Sequence, residues 1–236
     1  MLCYPTGHEY IRCHRTYRLL AQRLAGTGVA VMRFDYYGGG DSEGDIKDAR
    51  VRHWLDDIAS AIEQLRDRCS PSNICLVGIR MGATLAAMAG SQRDDIDRMV
   101  LWNAVSAGRS YIDEVKQMHV AHEQLHALAD SADSTDADAS DGTEILGYQF
   151  SRELIEDLAD LDLCRLERRP APRVLCVENG DAAETPNRRL REHLESLHLT
   201  LDHQSLSGPR IWLAEPYEAI VPHQTLQAIM TWINQA

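Results

Sequence analysis

The sequence predicts an α/β fold, in which a parallel β-sheet is flanked by helices. Short apolar runs alternate with amphipathic stretches along the chain, which is the pattern of strand–helix units. The run Ile74–Val77 is apolar throughout, as expected of a strand that is buried on both faces of a parallel sheet. With 236 residues, of which 44% are hydrophobic, the chain can form one domain with a packed core and a small insertion.

Each predicted element rests on the period of its apolar residues. The predicted strands, in chain order, are Leu2–Tyr4, Val29–Phe34, Ile74–Val77, Met99–Trp102, Val174–Val177 and Leu199–Leu206. The predicted helices are His14–Ala25, Val51–Leu65, Gly82–Ala89, Tyr111–Ala129, Ile145–Leu163, Pro186–Leu197 and Leu226–Ile233. Glycine and proline separate several of these elements, as in Gly26–Gly28 and Ser70–Asn73.

The alternation of strand and helix patterns is interrupted after residue 107, which predicts an insertion in the α/β core. Residues 1–107 and 166–236 are predicted to form the two parts of the core, and residues 108–165 a helical cap over the carboxyl edge of the sheet, where such folds bind ligands. Residues 130–141 are almost entirely Asp, Ser, Thr and Ala, a composition that cannot bury a core. We expect this stretch to be a mobile acidic loop of the cap.

Charge and cysteine usage exclude several classes of protein. The net charge of −12 argues against binding to nucleic acid or to an anionic membrane surface. No apolar run approaches the length of a membrane span, and the first residues lack the features of a signal peptide. The six cysteines are scattered without metal-binding spacing, so we expect reduced thiols in a cytoplasmic protein with no metal or other cofactor.

The most informative motif is Gly78-Ile79-Arg80-Met81-Gly82, which follows a buried strand and opens a helix. Two glycines flank a central residue with the spacing of the nucleophile elbow, G-x-S-x-G, in which the central residue occupies a strained turn. Side chains at the two glycine positions would collide with the neighbouring strand and helix. The motif therefore predicts an elbow with Arg80 at the nucleophile position.

An arginine cannot act as the nucleophile, because its guanidinium stays protonated and has no lone pair suited to attack a carbonyl. One interpretation is structural: Arg80 forms a salt bridge, for example with Glu9 or Asp181. The other is functional: the amino end of the helix favours anions, and Arg80 adds a fork for a carboxylate or phosphate.

Other candidate site residues lie on loops that approach the elbow. The segment containing Gly7, His8 and Glu9 is predicted to supply the second oxyanion donor, and His14 is predicted to line the same site, as are Met81 and Ser106. Asp181 follows a late strand, where the acid of a triad belongs, and His223 is a weak candidate for the histidine. The usual histidine position carries Glu215-Pro216-Tyr217-Glu218 instead.

The stretches Tyr4–Tyr10, Arg33–Tyr36 and Gly40-Asp41-Ser42, together with the elbow Gly78–Ala86, resemble the serine aminopeptidase-like α/β hydrolases. They are most similar to exosortase-associated hydrolase-like proteins of bacteria, in a branch where arginine replaces the elbow serine. The resemblance implies an α/β-hydrolase fold with a helical cap, in a setting near exopolysaccharide or secondary-metabolite genes. It also implies two further strands before Leu2–Tyr4. Either the chain begins late, which would leave a sheet edge through which two copies could form a homo-oligomer, or residues upstream of Met1 are missing from the sequence.

Three functions remain open on the sequence. We expect a hydrolase homologue without the serine nucleophile that binds a small acyl or anionic ligand. One alternative is a hydrolase of an ester, thioester or amide with a non-serine mechanism, in which Glu9, His14 or Asp181 activates water and Arg80 polarises the carbonyl. The other is an interaction or scaffold role in a biosynthetic pathway.

Overall fold

The computed structural model describes residues 1–129, 142–180, 187–215, 217–218 and 220–235. Its main sheet has five parallel strands in the order β1-β2-β3-β6-β7. These strands are β1 (Leu2–Cys3), β2 (Cys75–Ile79), β3 (Arg98–Trp102), β6 (Arg173–Asn179) and β7 (Thr200–Leu206). Five of the six predicted strands are thus confirmed, although their bounds shift by a few residues.

Seven helices surround the sheet in the described part of the chain. They are α1 (His8–Gly26), α2 (Val51–Cys69), α3 (Met81–Ser91), α4 (Gly108–Ala129), α5 (Arg152–Ala159), α6 (Arg188–Ser196) and α7 (His223–Asn234). Helix α1 packs against α7, whereas α2 packs against α3. None of the helices in the described ranges is long and apolar enough to cross a membrane.

The central strands are covered on both faces. Leu76, Val77, Ile79 and their neighbours in β3 and β6 are buried at successive positions. Because successive side chains of a strand point to opposite faces, burial at every position requires helices on both sides of the sheet. The predicted α/β architecture is therefore confirmed.

The strand predicted at Val29–Phe34 is wrong as an element of the sheet. This segment contacts β1 through a single bridge between Leu2 and Arg33, together with a hydrogen bond from the Leu2 N–H to the Met32 carbonyl. Since β1 has only two residues, it offers too short a partner to hold a six-residue ladder. The sheet consequently ends, within the described residues, at a loosely attached extended segment.

The helix predicted over Ile145–Leu163 is wrong in its first part. The chain there forms an antiparallel hairpin of β4 (Gly142–Ile145) and β5 (Tyr148–Ser151) before α5 begins. Leu146 and Gly147 both have positive φ, 51° and 84°, which is the backbone of the tight hairpin turns that match strand twist. The backbone conformation of this turn therefore determines the structure of the segment, although its apolar residues are spaced as in a helix.

Between β3 and β6 the described chain contains α4, the hairpin and α5, so the segment predicted as a helical cap is not entirely helical. The acidic stretch at 130–141 lies outside the described residues, as does Asp181. The division into residues 1–107, 108–165 and 166–236 stays a prediction.

Candidate functional site

The turn between β2 and α3 has the geometry of a nucleophile elbow. Arg80 has φ 53° and ψ −126°, a conformation that side-chain-bearing residues rarely adopt. A Cβ at Gly78 would overlap the backbone of Ala83, and one at Gly82 would overlap the carbonyl oxygen of Tyr4. The two glycines are therefore required by the close approach of strand, turn and helix, as the motif predicts.

The Arg80 guanidinium is held by two carboxylates from different helices. Its Nε donates to Glu9 Oε1 at 2.8 Å, and its Nη2 donates to Glu114 Oε2 at 2.7 Å. Glu9, on the first turn of α1, is 1% exposed, whereas the Glu114 side chain, on α4, is 40% exposed. Arg80 therefore joins an inner carboxylate of the core to an outer carboxylate of the segment between β3 and β6.

Two aromatic rings pack beside the same guanidinium. The Arg80 Cζ lies 5.5 Å from the ring centroid of Tyr111 and 5.2 Å from that of Trp212. Both distances are within the range of cation–π attraction. The Tyr111 hydroxyl also donates to Glu9 Oε2 at 3.5 Å, so the ring and the inner carboxylate position each other. We refer to Glu9, Arg80, Tyr111, Glu114 and Trp212 as the elbow cluster.

Electrostatics fix the charge of the arginine. Burial alone would lower the pKa of Arg80, but Glu9 and Glu114 outweigh it and raise that pKa above its ordinary value. Burial raises the pKa of Glu9, and the adjacent Arg80 opposes this rise. The elbow therefore carries a permanent cation, which cannot supply the electron pair that a serine supplies in this position.

The loop that precedes α1 leads directly to Glu9 of the elbow cluster, and its role as an oxyanion donor stays a prediction. Gly7 is the residue before α1, and His8 is almost fully buried in the first turn of the helix. Burial, followed by the charges of Arg12 and Arg80, lowers the pKa of His8 to about 3. The His8 Nε2 atom is buried without a hydrogen-bond partner among the described residues. His8 is consequently a neutral imidazole and a weak base.

Met81 begins α3, and its buried side chain belongs to the core rather than to a binding surface. Its backbone N–H is paired with no protein acceptor in the described part of the chain, as is usual for the first turn of a helix. This N–H is the donor that the residue after the nucleophile contributes to an oxyanion hole in hydrolases with this elbow. Any contribution of Met81 to an anion site at the elbow would therefore come from its backbone N–H.

Three further candidate residues, His223, His14 and Ser106, contact partners other than Arg80. His223 begins α7 and lies 3.4 Å from Arg23. Since Arg23 is fourteen residues after Glu9 on α1, His223 is about 21 Å along that helix from the cluster. His14 is exposed, and its ring stacks on that of Tyr4. The Ser106 carbonyl oxygen accepts from the N–H of Leu163, which lies just after α5.

Tyr111, Glu114 and Trp212 of the elbow cluster were not among the site residues predicted from the sequence. Tyr111 and Glu114 are three residues apart on α4, a spacing that places them on one face and could have indicated a shared contact. Trp212 lies in the loop between β7 and α7, the region where the triad histidine is expected. Its carbonyl accepts from Arg12 at 3.4 Å, which anchors the loop to α1. No group of three or more metal-ligating side chains occurs within the described residues.

Comparison with known proteins decides the family. A profile described as serine aminopeptidase, S33, within the hydrolases, matches residues 8–142, which is more than half of the chain. The chain belongs to this S33 serine aminopeptidase family. Among curated protein sequences, none matches the chain significantly.

Solved structures share the fold of this S33 family member at low sequence identity. Est1E from Butyrivibrio proteoclasticus with bound ferulic acid is 14% identical, with a TM-score of 0.71 over 98% of this chain and 86% of its own. A monoacylglycerol lipase from Paleococcus ferrophilus is 18% identical, with a TM-score of 0.61 over 98% and 92% of the two chains. Mouse alpha/beta hydrolase domain-containing protein 10 is 15% identical, with a TM-score of 0.56 over 99% and 88%. The fold is therefore the α/β-hydrolase fold.

Proposed function

We propose that this protein is a hydrolase homologue without serine catalysis that binds a small acyl-type or other anionic ligand at the elbow. The observation that carries the proposal is the unequal pair of carboxylates on Arg80. Glu9 is buried and is a permanent partner, whereas Glu114 is exposed enough to move into solvent. A carboxylate of a ligand that replaced Glu114 would form the same charge-assisted hydrogen bond.

The surroundings of Arg80 support an anion in this position. The amino end of α3 and the free N–H of Met81 both favour negative charge. Tyr111 and Trp212 are buried against the guanidinium and hold it in position for an anion. Competition from Glu114 predicts modest affinity in the wild type, because the ligand must displace an ion pair that is already formed.

The alternative of a non-serine hydrolase finds less support. Of the three groups that this alternative assigns to the activation of water, Asp181 lies outside the described residues, and His14 is exposed and stacks on Tyr4. Glu9 is committed to Arg80 and Tyr111. A cytoplasmic setting and a relation to exosortase systems belong to the proposal, on the strength of the reduced cysteines and of the resemblance at residues 78–86.

Calorimetric titration with hexanoate, benzoate and ferulate tests the proposal; ferulate is included because Est1E has been solved with ferulic acid bound. We expect Glu114→Gln to bind at least one of these about tenfold more tightly than wild type, because the competing charge is gone. Arg80→Met combined with Glu9→Gln, which leaves no unpaired buried carboxylate, should abolish this binding. Glu192→Gln, which removes an exposed partner of Arg188, is the matched control and should change nothing.

The proposal would be wrong if none of these three carboxylates binds to wild type or to Glu114→Gln at millimolar concentration. A panel of p-nitrophenyl esters and acyl thioesters addresses the alternative. Wild type is expected to be inert. Turnover by wild type that Arg80→Ala abolishes would establish the non-serine hydrolase instead.

A further inference from the structure

A cavity lies beside the first turn of α1, opposite the elbow cluster. It has a volume of about 250 Å³ and is lined by the loop Pro5–Gly7, the turn Gly38–Gly40 and the hairpin residue Tyr148. Glu9 on α1 faces Arg80, whereas the next residues, Tyr10 and Ile11, line this cavity. The start of α1 therefore separates the cavity from the elbow cluster.

Aromatic side chains dominate the lining, and none of the described residues that form it is charged. The five rings are those of Tyr10, Tyr36, Tyr37, Trp54 and Tyr148. Apolar pockets with aromatic walls are the usual sites of small-molecule binding in proteins. An ionised ligand would lose its hydration here without gaining a counter-charge, which disfavours charged ligands.

Hydrogen bonds hold two of the rings, and the backbone of Tyr37, in place before any ligand arrives. The Tyr10 hydroxyl donates to Asp35 Oδ1 at 2.7 Å, and the Trp54 Nε1 donates to the Tyr37 carbonyl at 3.1 Å. The Tyr37 N–H in turn donates to Asp57 Oδ2 at 2.7 Å. A cavity whose walls are already positioned loses little conformational entropy on binding.

The size of the cavity sets the size of the ligand. An apolar cavity of about 150 Å³ is known to hold benzene. A volume of about 250 Å³ therefore accommodates one aromatic ring with a short substituent, or a fused bicyclic ring. We propose that this cavity is a binding site for a neutral aryl group of phenol to indole size, distinct from the anion site at Arg80.

Ligand-observed NMR and calorimetry with phenol and indole test the site, with cyclohexanol and tetramethylammonium as comparison probes. We expect saturable binding of phenol and indole that is stronger than binding of either comparison probe. Ile11→Trp should weaken it at least tenfold, because the introduced indole occupies the cavity. Ile11 is 54% exposed, so this variant should fold. Val120→Trp, at a 50% exposed position of α4, is the matched control.

Two further variants keep the outcome decisive. Tyr148→Ala removes a wall on the surface hairpin and should also weaken aryl binding. Glu114→Gln, which changes the anion site at its exposed partner, should leave aryl binding unchanged, so that failure of the anion site and failure of the aryl site are distinguishable. Absence of saturable aryl binding, equal binding of cyclohexanol or tetramethylammonium, or unchanged affinity in both Ile11→Trp and Tyr148→Ala would each overturn the proposal.

Discussion

At the scale of single residues, the turn at Arg80 has the tight packing of a nucleophile elbow, with an arginine at its centre. Arg80 stays in a strained conformation, and Gly82 still permits α3 to approach the backbone of Tyr4. These features follow from the packing of strand against helix and do not depend on the chemistry of the central side chain. This is why the motif could be recognised in the sequence from its glycines alone.

Gly82→Ala is expected to lower the free energy of unfolding by about 1–3 kcal/mol, the usual cost of overpacking. Its Cβ would overlap the Tyr4 carbonyl oxygen, which is backbone and cannot rotate away. Gly26→Ala is the control, since a Cβ at that helical position meets nothing within 4 Å and should be neutral or stabilising. Urea unfolding measures both, and equal stability of the two variants would refute this account of the elbow.

At the scale of elements, Arg80 connects three helices by charge. It lies at the start of α3 and pairs with Glu9 of α1 and Glu114 of α4. A buried ion pair contributes little net stability compared with apolar residues of similar size, but removal of one partner leaves an uncompensated charge. If Arg80 were replaced by an apolar residue, the buried Glu9 carboxylate would be left without a counter-charge.

Arg80→Met is therefore expected to destabilise the fold by about 3 kcal/mol or more, because it leaves Glu9 buried and unpaired. The double variant Arg80→Met with Glu9→Gln should recover much of this loss. Thermal and urea unfolding of wild type, both single variants and the double variant give the coupling energy. A double variant less stable than Arg80→Met alone would show that the carboxylate of Glu9 does not depend on Arg80.

The elements also mark the limit of prediction from local pattern. The central strands and most helices were predictable, because their periodicity agrees with their burial. The segment Val29–Phe34 has strand periodicity but only a two-residue partner, and the number of partners is not encoded locally. The hairpin at Gly142–Ser151 depends on the backbone of Leu146-Gly147, a turn signal weaker than the flanking helical spacing. In the site, Arg80 was predictable from the elbow motif and Glu9 from the segment that begins at Gly7. Glu114 and Trp212 could not be predicted, because only tertiary packing brings them to Arg80.

At the scale of the whole molecule, the sheet ends at an extended segment that is attached by one bridge. Val31 and Met32 in this segment are only partly buried. Such an edge offers backbone hydrogen-bonding groups to another strand. A homo-oligomer through this edge stays a prediction, and light scattering checks it: we expect a dimer that Val31→Lys converts to a monomer. A monomeric wild type would exclude this interface, and Val120→Lys on α4 is the control for added charge.

Tryptophan positions give the molecule two separate optical reporters. Trp212 is in contact with the Arg80 guanidinium, and Trp54 is part of the wall of the aryl cavity. The other two tryptophans lie elsewhere, with Trp102 bonded to Asn179 and Trp232 to Asp202. A ligand at either site would therefore alter the intrinsic fluorescence of a different indole. Replacement of one tryptophan at a time by phenylalanine would tell which site a compound occupies without any attached dye.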